Sequence, residues 1–172
     1  EMFSGATSFN QDISNWNVSN VTTMLKMFNN ATSFNQPLNN WNVSNVNNMN
    51  NIFRSAESFN QDISNWDISS LTLTNSMFQS AKSFNQPLND WNVSNITSMR
   101  SMFYSAESFN QSLNDWNVSK VTDMSQMFRN ASAFNGNVSN WNITSVTTTV
   151  SMFQQSDLSQ ILFWDMTNVD SS

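Results

Sequence analysis

The chain has no cysteine and no histidine, two glycines, two prolines, one tyrosine and few charges: six Lys plus Arg and twelve Asp plus Glu, 10% of 172 residues. Without Cys neither a disulfide nor a thiolate metal site can form, and the lack fits any redox compartment. Without His the commonest proton-transfer group is gone. Gly5 and Gly136 are too far apart to build a phosphate-cradling loop. The formal charge of −6 repels phosphate backbones and anionic headgroups, so nucleic acid is not an expected partner. No apolar run reaches the roughly 18 residues of a membrane span, and Glu1-Met2-Phe3 does not open a basic-then-apolar export signal. Membrane association is expected only through an anchor outside this segment. An enzyme, a cofactor or a resident metal is not expected.

What the chain does have is repetition. Met2-Phe3, Met27-Phe28, Ile52-Phe53, Met77-Phe78, Met102-Phe103, Met127-Phe128 and Met152-Phe153 recur every 25 residues without insertion. A fixed period of that length predicts stacked coils starting near residues 2, 27, 52, 77, 102, 127 and 152. Within one coil, Trp16 and Val18 alternate with Asn17 and Ser19, as in a short half-buried strand. Val21, Met24, Met27, Phe28 and Ala31 then recur at three and four residues, as along a short helix, which Ser19, Asn20 or Thr22 could cap. The fold predicted on this basis is an α/β solenoid, a leucine-rich-repeat-like right-handed stack of about seven coils, each a short parallel strand plus a short helix.

Stacking turns positions into rows. Trp16, Trp41, Trp66, Trp91, Trp116 and Trp141 form one, which Trp164 continues two residues early. Two rows of Phe, one of Ala (Ala6 to Ala131) and one of Asn (Asn10 to Asn135) run beside it. The Asn row follows the second Phe at a sharp bend, where side-chain amides can bond backbone groups that the turn leaves unpaired. The outer face of the predicted sheet carries Asn17, Ser19, Asn42, Ser44, Asp67, Ser69, Asn92, Ser94, Asn117, Ser119, Asn142 and Thr144, the candidate ligand face.

Departures from the pattern are few. Leu71-Thr72-Leu73-Thr74 and Thr149-Val150 shift an apolar residue by one position, predicting local helix distortion. Glu57, Lys82 and Glu107 share one position in successive coils and are expected to pair. Asp90 and Asp115 share a row that could hold a cation, but a solvated pair is the expectation, since Ca²⁺ takes six to eight oxygen ligands. Residues 152–172 lose two positions before Trp164 and predict a C-terminal cap-like coil. The first coil starts mid-pattern, so residues 1–172 are read as one repeat domain cut from a longer protein. The many N-x-[ST] triplets, such as those at Asn92 and Asn117, are read as by-products of repetition rather than glycan sites.

The pattern A-x-S-F-N-Q-x-[IL]-x-x-W-[ND]-[VI]-S-x-[VIL]-T-x-M-x-x-M-F, seen from Ala6 to Phe28 and five times more in similar form, resembles the BspA-like leucine-rich-repeat surface proteins, including mycoplasma surface lipoproteins. The likeness covers residues 2–169. It implies a leucine-rich-repeat-like fold, a cell-surface or extracellular location and adhesion. The chain departs from the family after Trp, where Asn17, Asn42, Asn92, Asn117 and Asn142 stand in place of the family's frequent Asp, and at the usual Asn-ladder position, which carries Val21, Val46, Leu71, Ile96, Val121 and Val146. The functional expectation is therefore a non-enzymatic surface module that binds a protein or a polysaccharide of another cell or matrix through its Asn/Ser face. The alternative is a structural spacer or filament-forming repeat that self-associates end to end. A third reading is ice binding, on the row Thr22, Thr72, Thr97, Thr122 and Thr147, broken by Asn47.

Overall fold

A computed structural model describes residues 1–156; the predicted cap beyond Ser156, with Trp164, lies outside the described residues. Among the described residues there is no helix, and regular strand pairing is reduced to isolated parallel bridges, Thr23 to Asn48, Leu73 to Ser98, Ser98 to Asp123 and Asp123 to Thr148. The α/β solenoid of strand-plus-helix coils is thereby overturned. Each 25-residue unit is instead a closed run of tight turns.

The turns account for the apolar spacing that had suggested a helix. Backbone bonds close three-residue steps from Trp16 to Ile13, Val21 to Val18, Met27 to Met24, Ala31 to Phe28 and Phe34 to Ala31, and the same five recur in the next coil at Trp41, Val46, Ile52, Ala56 and Phe59. Residues i and i+3 of a turn lie close together, so an apolar pair at that spacing marks two corners facing the core as well as it marks a helix stripe. Trp16 and Val18 alternate with polar neighbours because one ends a turn and the other begins the next. Positive φ at the third position of two turns per coil excludes helix outright: Lys26 and Asn30 at 52° and 57°, Asn51 and Ser55 at 58° and 56°, and so on to Ser151 and Gln155.

Coil joins coil through a ladder located where the helix was expected. The N–H groups of Met24, Lys26, Phe28 and Asn30 donate to the carbonyls of Asn48, Asn50, Ile52 and Arg54 at 2.7–3.0 Å, and equivalent bonds link each later coil to the next. Immediately ahead of the ladder, beside its bridges, bonds return from the later coil, Asn47 N–H to Thr22 O and Thr122 N–H to Thr97 O. Spacing explains the outcome. Phe28, Phe53 and Phe78 stack at 5.6 and 5.7 Å between centroids, and Trp116 and Trp141 on the other wall at 6.1 Å, so the coils scarcely fan apart. An α-helix needs about 10 Å of width, nearly twice that separation.

The interior is a file of rings. Within a coil Phe28 and Phe34 stack at 4.1 Å, Phe53 and Phe59 at 3.9 Å, and the Ala row, fully buried from Ala31 to Ala131, sits at the corner shared by the two turns that carry these rings. Each buried indole from Trp41 onward donates Nε1–H to a carbonyl one coil back: Trp41 to Ile13, Trp66 to Leu38, Trp91 to Ile63, Trp116 to Leu88 and Trp141 to Leu113, at 2.7–3.2 Å. Those carbonyls also close their own coil's turn, so both lone pairs are used. Around Leu71–Thr74 no helix exists to distort, but the ladder is locally broken: the bridge between Asn48 and Leu73 is missing and Thr72 bends, while Thr74 still fills the buried Met position, Leu73 faces solvent, and Thr149 is likewise buried. Register follows from the stack rather than from the local apolar pattern.

Candidate functional site

The corner Asn row is a continuous hydrogen-bonded file. Asn10 Oδ1 accepts from the N–H of Asn35, Asn35 from Asn60, Asn60 from Asn85, Asn85 from Asn110 and Asn110 from Asn135, at 2.7–2.9 Å. Gln36, Gln61, Gln86 and Gln111 add Nε2–H donations to the same oxygens. These acceptors are consumed within the fold, which makes the row structural. In the next coil Gly136 stands where these coils have Gln, and its backbone passes so close to the Gln111 carbonyl that a Cβ there would collide with it.

The candidate ligand face is not a sheet but a row of polar turns. Asn17 Oδ1 accepts from the N–H and the hydroxyl of Ser19, and the motif repeats for Asn42 with Ser44, Asp67 with Ser69, Asn92 with Ser94, Asn117 with Ser119 and Asn142 with Thr144. The backbone donor requires oxygen at the inner side-chain position, so each Asn turns its Nδ2 outward. Asn17, Asn42, Asn92, Asn117 and Asn142 are all exposed, and among the described residues nothing accepts from these amides. The twelve residues are thus brought together as six pairs, one pair per coil.

Asp67 has the turn without the outward donor, and bonds from the Ser69 hydroxyl and N–H hold its carboxyl below the ordinary carboxylate range. Asp12 and Asp62 are lowered in the same way, chiefly by the N–H groups of Ser14 and Ser64. Of the carboxylates Asp90 and Asp115, Asp115 is bound by Asn89, which donates Nδ2–H to its carboxylate and accepts from its backbone N–H, and no group of three metal-ligating side chains occurs among the described residues. Lys82 pairs with Glu57 at 3.1 Å, with both side chains half exposed.

Of two rows next to this face, the first escaped the sequence reading and the second is the Thr row on which ice binding rested. Asn45, Ser70 and Asn95 donate side-chain hydrogens to the carbonyls of Ser19, Ser44 and Ser69 in the preceding coil. Thr97, Thr122 and Thr147 do the same to Thr72, Thr97 and Thr122 at 3.0–3.2 Å, so their hydroxyl protons point into the stack rather than to solvent. The signal was the 25-residue recurrence itself, which marks a position as shared without saying which way its side chain turns.

No curated protein and no solved structure matches the chain. A family model matches it twice, over residues 1–91 and 77–172, and together these cover its whole length. The chain therefore belongs to the repeat family described as Mycoplasma protein of unknown function, DUF285.

Proposed function

We propose that the chain is a non-enzymatic cell-surface repeat module of the BspA-like kind, which binds a protein or polysaccharide of a neighbouring cell or matrix through the row of outward amides. The observation that carries this reading is the set of exposed, unpartnered Nδ2 donors at Asn17, Asn42, Asn92, Asn117 and Asn142, each held in one orientation by its own turn. Donors fixed in advance lose little rotamer entropy on binding, and their regular spacing suits a ligand with repeated acceptors.

The natural Asp67 supplies the test. Asn92→Asp with Asn117→Asp keeps the oxygen that the turn requires and replaces the outward donor by an acceptor. Binding to cells or to a glycan array should fall at least tenfold while the thermal midpoint stays within a few degrees; undiminished binding refutes this face as the site.

A second reading is a spacer or filament-forming repeat. It draws on the uniform joints between coils, where Phe28, Phe53 and Phe78 repeat one stacking distance, so that further units extend the stack without a new kind of contact. Sedimentation that shows end-to-end polymers, with no ligand found on an array, favours that reading.

A further inference from the structure

The charges of this acidic chain are sorted between faces. Four of its six cations, Lys26, Arg54, Arg100 and Arg129, project from the ladder segment, against two carboxylates there among the described residues, Glu1 and Asp123. The rest of the described chain carries two cations, Lys82 and Lys120, against seven carboxylates. Among the described residues the ion pairs are Lys26 with Glu1 and Lys82 with Glu57, so Arg54, Arg100 and Arg129 hold no carboxylate. Their backbones show why they share a face: the outward positions of the ladder recur at 25, 26, 29 and 30 of each coil, and these residues occupy them.

One line along this face reads Arg54, Gln79, Tyr104, Arg129, a residue per coil. The Arg129 guanidinium lies 5.7 Å from the Tyr104 ring centre. Three coil steps at the ~4.8 Å spacing of parallel backbones make the line roughly 15 Å long. Among the described residues the buried side-chain atoms without a hydrogen-bond partner are Asn29 Oδ1, Arg129 Nε and Asn130 Oδ1, all in this line and the row beside it.

We infer that this ladder face is a docking strip for an acidic polysaccharide, a linear glycan bearing carboxylate or sulfate groups, and that it is separate from the amide row. Guanidinium groups recognise such anions in a bidentate manner, an aromatic ring covers the apolar side of a sugar, and an amide serves its hydroxyls. The alternatives fit less well. An acidic peptide adding as a strand needs a free backbone edge, whereas the N–H groups of this segment are committed to the next coil. A lipid surface asks for apolar anchors, and polar residues dominate the face. Single-stranded nucleic acid stacks successive bases on aromatic rings, and this line offers one ring, Tyr104.

The test measures binding of the whole chain to polygalacturonate, dextran sulfate, neutral dextran and polyglutamate by calorimetry at two salt concentrations. Wild type should bind at least one of the two acidic glycans, more weakly at high salt, and leave neutral dextran unbound. Arg54→Gln with Arg100→Gln and Arg129→Gln should weaken that binding at least tenfold, and Tyr104→Leu should weaken it while leaving any affinity for polyglutamate unchanged. Arg54→Gln with Arg100→Gln, which touches no buried unpartnered atom, carries the test if the triple variant does not fold. Asn92→Asp with Asn117→Asp should leave acidic-glycan binding intact, whether or not the amide row proves to bind a ligand. Binding to neither acidic glycan, undiminished binding by the arginine variants, or tighter binding of polyglutamate overturns the proposal.

Discussion

At the scale of single residues, Asn performs two tasks that depend only on where it stands. Asn35 bridges two coils: its Oδ1 accepts from Asn60 N–H and Gln61 Nε2–H, and its own N–H donates to Asn10. Asn92 closes a local turn and leaves its Nδ2 in solvent. Asn35→Ala removes an acceptor and strands a partly buried backbone donor, so stability should fall by roughly 1–3 kcal/mol in chemical denaturation; an unchanged midpoint refutes the bridging role. The corner Asn row was legible in the sequence because an amide recurring after a bulky Phe has few other uses. The outward direction of the Asn92 amide was not, since it depends on which backbone N–H meets the oxygen.

The coil is the next scale, and its element is the tight turn. Two turns per coil need a positive φ, yet the chain supplies Lys, Asn, Ser and Gln there, with Gly5 the single glycine. Backbone strain of this kind persists because the same residues donate into the ladder, as Lys26 does to Asn50 and Ser80 to Tyr104. Ser80 has φ 57°. Ser80→Val, β-branched and poorly suited to that region, should cost about 1–3 kcal/mol, whereas Ser80→Gly should cost nothing measurable. Equal midpoints for the two variants would sink the turn assignment. The helix expectation failed at this scale because a spacing of three satisfies both a helix stripe and the paired corners of a turn. Neither the Ser/Asn/Thr content nor the lack of Gly tells the two apart unaided.

For the whole molecule, each coil touches chiefly its two neighbours through the ladder, the Asn file, the indole bonds and the stacked rings, so stability should add up coil by coil. Excising residues 77–101, one full period, places Ser76 before Met102 and preserves every row. Such a variant should fold, with a denaturant slope reduced in proportion to the surface lost. Removing half a period instead should abolish cooperative unfolding, because rings would meet turns. If both deletions unfold alike, the coils are not interchangeable units. Charge sorting also belongs to this scale: a basic strip on the ladder side of an acidic chain arises from columns that only stacking assembles.

Twenty-five-residue recurrence, read without coordinates, determined that like side chains gather into rows and which residues each row holds, because a period without insertions leaves no freedom in that assignment. What a row rests on was decided by tertiary contact. Hydrogen bonds between coils chose turns and a ladder over strand and helix, since coils spaced at 5.4–6.1 Å between stacked rings leave no room for helical walls. The same contacts buried Thr74, turned Leu73 to solvent and aimed the Asn92 amide outward, none of which a residue settles alone.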